Sequence, residues 1–231
     1  MTDETDTKTQ RPRSRIPAAL IGVGALAAAA VLAVTLTGRN TEAVAQACIP
    51  ASETLTRLAP TARGEVAAVS VHASPRLAPE MTFTGPAGEP TSLAAFEGRT
   101  VLVNLWATWC APCREEMPAL DELQATFGGE DFEVVAINVD TRNLERPRQW
   151  LAEHGIDNLA FYAEHEGRLM QALQRTGHLV GLPTTILIGE RNCELAILKG
   201  PAHWSSDDAF AMIAAALGRE PSGAEAVGSA M

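Results

Sequence analysis

The stretch WATWCAPCREEMP, which runs from Trp106 to Pro118, holds two cysteines three residues apart, Cys110 and Cys113. Residues at this spacing on a helix share one face at about 5 to 6 Å, within the roughly 4.4 to 6.8 Å between Cα atoms that a disulfide spans. Such a pair can close into a disulfide and reopen, a reversible two-electron couple that one thiol or two serines cannot supply. The spacing therefore predicts a redox-active dithiol.

The two cysteines are expected to play different roles because a helix is predicted to begin near Ala111. Cys110 would then lie at the helix N-terminus, where unpaired N–H groups and the helix dipole favour the thiolate, the attacking form of cysteine. Cys113, one turn further on, would resolve the mixed disulfide that Cys110 forms with a partner.

Two other interpretations of the pair are a structural zinc site and a purely structural bridge. Structural zinc takes four ligands, whereas this chain has no second CxxC motif and no nearby pair of histidines. A bridge this local would constrain little of the entropy of the unfolded chain. We expect neither a metal nor any other cofactor.

Strands and helices are predicted to alternate around this motif. TVLVNLWA predicts the strand that leads to Cys110, and APCREEMPALDELQATFG predicts the following helix, which ends at Gly128. Further strands are predicted at FEVVAINVD, NLAFYA, TTILIG and ELAILKG, and further helices at LERPRQWLAEHG, EGRLMQALQRTG and 205–217. MTFTGPAGEPTSL predicts two short strands, and ASPRLAPE a Pro-rich connector. The pattern predicts an α/β domain with a central mixed sheet that helices cover on both faces.

Residues 16–38 form an apolar run of 23 residues without an ionisable side chain. As a helix the run would be about 34 Å long, enough to cross a hydrocarbon core of roughly 30 Å. Three arginines precede it and one follows directly, so the positive-inside rule keeps residues 1–15 in the cytoplasm. We predict an uncleaved transmembrane anchor in the inner membrane, with the rest of the chain in the periplasm. The alternatives are cleavage at Ala45-Gln46-Ala47 and, more weakly, lipidation of Cys48.

The exported part of the chain is acidic and contains all four cysteines. From Asn40 onward there are 13 basic and 25 acidic residues, a formal charge of -12. This charge argues against nucleic acid as a partner. The predicted compartment is one in which disulfides form and persist.

The stretch VLVNLWATWCAPCREEMP, together with GLPTT, resembles the thioredoxin superfamily, and in particular the membrane-anchored reductases of the TlpA, ResA and CcmG kind. The resemblance implies a thioredoxin fold in which Pro183 is cis and lies against the cysteines. It also implies that Leu182 offers backbone groups to a partner, with Trp109 and Pro112 on the docking surface. The predicted divisions are a cytoplasmic tail at 1–15, an anchor at 16–38, a linker with short helices at 39–78, a thioredoxin-like domain at 79–218 and a disordered tail at 219–231.

One position departs from cytoplasmic thioredoxins, which carry a buried Asp where this chain has Asn104. Glu116, three residues after Cys113, matches a carboxylate near the site in the ResA and CcmG branch. The resemblance implies that it helps to deprotonate Cys113. The alternative is that Glu115 and Glu116 are only acids favoured in an early helical turn.

The other two cysteines, Cys48 and Cys193, are separated by 144 residues. The likeness to TlpA implies a structural disulfide between the N-terminal region and the late hairpin. In the chain-entropy model such a bridge stabilises the fold by up to about 5 kcal/mol. The alternative is a pair of free thiols.

These observations predict an anchored enzyme that keeps the cysteine pairs of exported proteins reduced. The likeness to TlpA implies a role in cytochrome oxidase assembly, with copper-site proteins or Sco-type copper chaperones as substrates and a membrane electron donor of the DsbD or CcdA type. An alternative is the reduction of apocytochrome c before haem attachment. An alternative of another class is a carrier that binds Cu(I) through Cys110 and Cys113.

Overall fold

The computed structural model describes residues 48–219. The predicted cytoplasmic tail at 1–15, the anchor at 16–38 and residues 220–231 of the predicted tail lie outside this range. Within the described residues, no helix has the length and apolar character needed to cross a membrane.

The described chain contains eight strands and five α-helices. The strands are β1 Ser70–Leu77, β2 Thr82–Thr84, β3 Pro90–Ser92, β4 Thr100–Trp106, β5 Phe132–Asn138, β6 Tyr162–Ala163, β7 Thr184–Gly189 and β8 Cys193–Lys199. The helices are α1 Ala51–Leu58, α2 Ala111–Phe127, α3 Arg146–Glu153, α4 Arg168–Arg175 and α5 Asp207–Ala216.

All eight strands belong to one mixed sheet in the order β1-β8-β7-β4-β5-β6-β2-β3. Strand β4 pairs in parallel with β5 and antiparallel with β7, and β7 pairs antiparallel with β8. The predicted α/β class with a central mixed sheet is confirmed, and the strands predicted at TTILIG and ELAILKG are the antiparallel pair β7 and β8.

Strand β4 lies in the middle of the sheet, and all seven of its residues are buried. Its continuous apolar run, interrupted only by Asn104, is the pattern of a strand covered on both faces. The loop that carries Cys110 begins directly after Trp106, the last residue of β4. One end of this loop is therefore anchored in the buried centre of the sheet.

The sequence prediction was wrong for the Pro-rich stretch ASPRLAPE, which was expected to be a connector. Its first five residues belong to β1, which pairs with β8 at one edge of the sheet. The register shifts between Val71 and Arg76, and Pro75 lies in this irregular part. An edge strand with a bulge tolerates proline because the missing N–H does not interrupt a regular ladder. The predicted strand NLAFYA is also shorter than expected, since β6 contains only Tyr162 and Ala163.

Candidate functional site

Cys110 is the N-cap residue of α2, which begins at Ala111 as predicted. The backbone of Cys110 is extended, and its Sγ accepts a hydrogen bond from the Cys113 amide at 3.3 Å. The first N–H groups of a helix lack intrahelical partners and carry partial positive charge, so they stabilise a thiolate at this position. The local backbone therefore supplies the electrostatics that an attacking cysteine needs.

Cys110 and Cys113 form a disulfide with their Cα atoms 5.3 Å apart. Cys110 retains 6% of its surface exposed, whereas Cys113 is fully buried. A partner disulfide can therefore reach Cys110 but not Cys113. This difference in access matches the division between an attacking and a resolving cysteine.

Asp140 holds the loop between β4 and Cys110. Its buried carboxylate accepts hydrogen bonds from the Thr108 amide at 2.9 Å, the Thr108 hydroxyl at 3.0 Å and Asn138 Nδ2 at 2.8 Å. Arg114 donates a hydrogen bond to the Thr108 carbonyl. Asp140 was not among the residues predicted from the sequence. The available signal was an acidic residue two positions after β5, since the carboxyl ends of the parallel strands β4 and β5 meet at one end of the sheet.

Glu116 lies one helical turn beyond Cys113 and is 3% exposed. Its carboxylate accepts hydrogen bonds from Asn104 Nδ2 at 2.8 Å, the Ala202 amide at 3.1 Å and Trp204 Nε1 at 3.2 Å. Burial raises the pKa of Glu116 from 4.5 to about 7, although the three hydrogen bonds act in the opposite direction. Near neutral pH this carboxyl is therefore able to take up or release a proton.

Asn104 joins Glu116 to the neighbouring strand. Its Nδ2 group donates to Glu116 and, at 2.9 Å, to the Thr185 hydroxyl on β7. Its Oδ1 atom is buried and has no hydrogen-bond partner among residues 48–219. An unpaired buried acceptor costs free energy, so a donor that reached Oδ1 would be stabilised there.

The Leu182–Pro183 peptide bond is cis, as the resemblance implies. Thr184, the next residue, pairs with Leu105 near the end of β4. The proline loop and the loop that carries Cys110 therefore lie at the same end of the sheet. Leu182 is only partly buried, and Val180 in the same loop is 76% exposed.

Trp109 and Pro112 flank Cys110 along the chain. Trp109 is 64% exposed, which is unusual for so large an apolar side chain, and Pro112 is half-buried in the first turn of α2. An exposed indole directly beside a redox-active sulfur is a favourable contact surface for another protein.

Cys48 and Cys193 form a second disulfide, with their Cα atoms 5.7 Å apart across a sequence separation of 145. Cys193 is the first residue of β8, and Cys48 lies just before α1. The bridge therefore fastens the segment before α1 to the sheet. Both cysteines are buried.

Metal-binding clusters are absent from the described part of the chain. No group of three or more His, Cys, Asp or Glu side chains within residues 48–219 is arranged to hold an ion. Any soft metal at the redox motif would depend on Cys110 and Cys113 alone.

Comparison with known proteins places this site in a family. The Redoxin family matches residues 73–213, more than half of the chain. The thiol-disulfide oxidoreductase ResA of Geobacillus thermodenitrificans is 31% identical over 132 residues, which cover 53% of this chain and 67% of ResA. The thioredoxin-like protein YneN of Bacillus subtilis is 46% identical over 61 residues, or 26% of this chain, so the chain spans only 35% of the length of YneN.

A solved structure shows the same architecture. The thiol:disulfide interchange protein of the thioredoxin family from Chlorobium tepidum TLS has a TM-score of 0.51 and 27% identity, covering 62% of this chain and 99% of that chain. The thioredoxin-like fold is thus confirmed, whereas the narrower likeness to TlpA stays a prediction. The chain belongs to the Redoxin family, as a ResA-like and CcmG-like thiol-disulfide oxidoreductase of the thioredoxin superfamily.

Proposed function

We propose that this protein is a membrane-anchored reductase that transfers two electrons from the Cys110–Cys113 dithiol to disulfides of exported proteins. The observation that carries the proposal is the position of Cys110. Its sulfur caps a helix N-terminus and retains some exposure, while Cys113 is buried one turn away. A nucleophile that a partner can reach and a resolving thiol that it cannot reach are the two parts that the exchange requires.

The exchange proceeds in two displacements. The Cys110 thiolate attacks one sulfur of the partner disulfide, forming a mixed disulfide, and the second partner sulfur leaves as a thiolate. Cys113, once deprotonated, attacks the Cys110 sulfur and releases the first partner sulfur. The Cys110–Cys113 pair ends oxidised, and the partner gains two electrons and two protons.

Glu116 is proposed to accept the proton from Cys113 during the second displacement. The two residues are three apart on α2, so they share one face of the helix, and both are buried. A base is most effective when its pKa is near the working pH, which is where burial brings the pKa of Glu116. Asn104 orients this carboxylate. After rotation of its carboxamide, Asn104 Oδ1 can accept a hydrogen bond from the O–H group of neutral Glu116.

The pathway is proposed from the likeness to TlpA, and the Cys48–Cys193 disulfide supports it because it joins the N-terminal segment to the late hairpin. On this proposal the domain is held at the periplasmic face of the inner membrane and reduces copper-site proteins or Sco-type chaperones. A DsbD or CcdA type protein supplies the electrons. Reduction of apocytochrome c uses the same chemistry and is the alternative.

A matched pair of variants tests the proposal in intact membranes. Cys113→Ser is expected to accumulate mixed disulfides with its partners, and Cys110→Ser is expected to trap none and to lose insulin reduction. The partners identified by mass spectrometry distinguish oxidase assembly from cytochrome c maturation. Full insulin reduction by Cys110→Ser would refute the assigned nucleophile. A Cu(I) carrier would instead hold the metal on the reduced cysteines against a competing chelator.

A further inference from the structure

An open groove of about 430 Å³ lies beside the redox motif, and we call it the Trp109 groove. Its walls are formed by Thr108, Trp109, Arg114, Arg146, Trp150 and His154. Thr108 and Trp109 directly precede Cys110, and Arg114 is one helical turn beyond it. The groove therefore adjoins the point at which the cysteine of a partner would meet Cys110.

The ionisable side chains that line the groove are all basic, although the whole chain has a net charge of -10. Arg114 donates to the Thr108 carbonyl, and no carboxylate within residues 48–219 reaches ion-pair distance of its guanidinium. Arg146 pairs with Glu153 at 2.8 Å. Both side chains of that pair are more than a third exposed, so the pair is weak and can be exchanged for another carboxylate.

The aromatic side chains of the groove complete a surface for a polypeptide. Trp109 is largely exposed, while Trp150 is buried and stacks on His154 with ring centroids 4.2 Å apart. His154 uses Nδ1 to bond the Trp150 carbonyl at 2.8 Å, so Nε2 is the ring nitrogen left for a ligand. Indole faces take apolar atoms, and the guanidinium groups take carboxylates in bidentate geometry.

We propose that the Trp109 groove binds an acidic segment of the redox partner, in which Asp or Glu residues lie within a few positions of the reactive cysteine. The inference rests on the proposed function, because the partner cysteine must meet Cys110. An acidic domain repels other acidic proteins in general. A basic site confined to the redox motif therefore favours partners that carry their negative charge at the cysteine itself.

The test compares two disulfide-linked peptides of equal length that differ only in having Glu or Gln around the cysteine. The reduced protein is expected to reduce the Glu peptide about tenfold faster at low salt, and the advantage should shrink strongly in 0.5 M NaCl. Arg114→Gln and Arg146→Gln should each remove most of the advantage. Arg175→Gln, an exposed change at the end of α4 and outside the groove, is the matched control and should keep it.

Two further measurements separate docking from chemistry. Arg114 also contacts the Thr108 carbonyl in the loop before Cys110, so its substitution could alter the redox motif itself. Arg146 contacts Glu153 instead, which makes Arg146→Gln the decisive variant. This variant should reduce the small uncharged disulfide 4,4′-dithiodipyridine at the same rate as the wild type. A cysteine-free Glu peptide titrated into the oxidised protein should shift the Trp109 indole N–H resonance, and the Gln peptide should not. Equal and measurable rates of reduction for both peptides, or no selective shift of the resonance, would overturn the inference. Selective binding without any disulfide reduction would retain the groove and refute the proposed function.

Discussion

Glu116→Gln is the substitution that isolates the ionisation of the buried carboxyl beneath the redox motif. Glutamine has nearly the same size, and its carbonyl can accept from the Ala202 amide and Trp204. Its NH2 group would then face Asn104, whose Oδ1 has no partner within residues 48–219 and can accept after rotation of the carboxamide. The Thr185 hydroxyl can donate to the same oxygen. The variant is therefore expected to fold with the hydrogen bonds of residue 116 intact. The rotated Nδ2 group of Asn104 would take the place of Oδ1 and lack a partner within residues 48–219, a cost that is the same at every pH.

The expected effect on stability depends on pH and has a definite sign. The unfolded chain releases the Glu116 proton near its ordinary pKa of 4.5, whereas burial holds the folded pKa at about 7. The free energy of unfolding of the wild type therefore falls as pH rises above 4.5, and this loss is complete above about pH 7. The difference between the two pKa values corresponds to about 3 kcal/mol. Glutamine does not ionise, so the free energy of unfolding of the variant does not contain this pH-dependent decrease.

Urea unfolding of the oxidised protein at pH 5 and at pH 8 measures the effect. The free energy of unfolding of Glu116→Gln minus that of the wild type should be larger at pH 8 than at pH 5, by most of the 3 kcal/mol. Glu115→Gln, an exposed neighbour on the same helix, is the control and should show the same difference from wild type at both pH values. A difference for Glu116→Gln that does not change with pH would refute the buried ionisation.

The same variant tests the catalytic role of the carboxyl. If Glu116 takes the proton from Cys113, the rate of disulfide reduction by Glu116→Gln should fall, and its pH profile should lose the step near pH 7. An unchanged pH profile would refute the proton transfer and leave Glu116 as a structural residue. If the pH profile does lose this step, the variant that is more stable at pH 8 is also the slower enzyme. The negative charge of Glu116 that lowers stability is the charge that accepts the proton in the reaction.

Two predictions concern stability away from the redox motif. Cys48→Ala combined with Cys193→Ala opens a loop of 145 residues and should lower the free energy of unfolding by up to about 5 kcal/mol, with insulin reduction retained; a loss below about 1 kcal/mol would contradict the chain-entropy argument. Burial alone would raise the pKa of Glu194, but hydrogen bonds from His72 and Arg76 and the charge of His178 lower it to about 2. Its ionised form therefore stabilises the fold above pH 4.5, and this contribution is lost as pH falls through 2. Glu194→Gln should cost about 2 kcal/mol at pH 7, allowing for screening at the half-exposed Arg76, and the difference from wild type should narrow below pH 4.5. A cost that stays constant in urea titrations down to pH 3 would contradict the ionic role of Glu194.

The elements next to the redox motif were predictable because their signals are local. A continuous apolar run predicted β4, and Gly128 predicted the end of α2, which follows from backbone geometry within a few residues. Strand β1 was not predictable in this way. Its Ser and Pro residues disfavour a strand locally, and only pairing with β8, more than a hundred residues later, holds it in the sheet.

The sequence by itself determined the redox pair and which of its two sulfurs lies at the helix N-terminus, because that position depends only on where one helix begins. Only the tertiary structure decided what surrounds the pair. Glu116 acquires its raised pKa from burial, within a set of hydrogen-bond donors that includes Ala202 and Trp204, 86 and 88 residues away along the chain. The Trp109 groove likewise needs α3 beside the start of α2. Burial and charge at a site are sums over residues that are distant in the sequence, so no local pattern can record them.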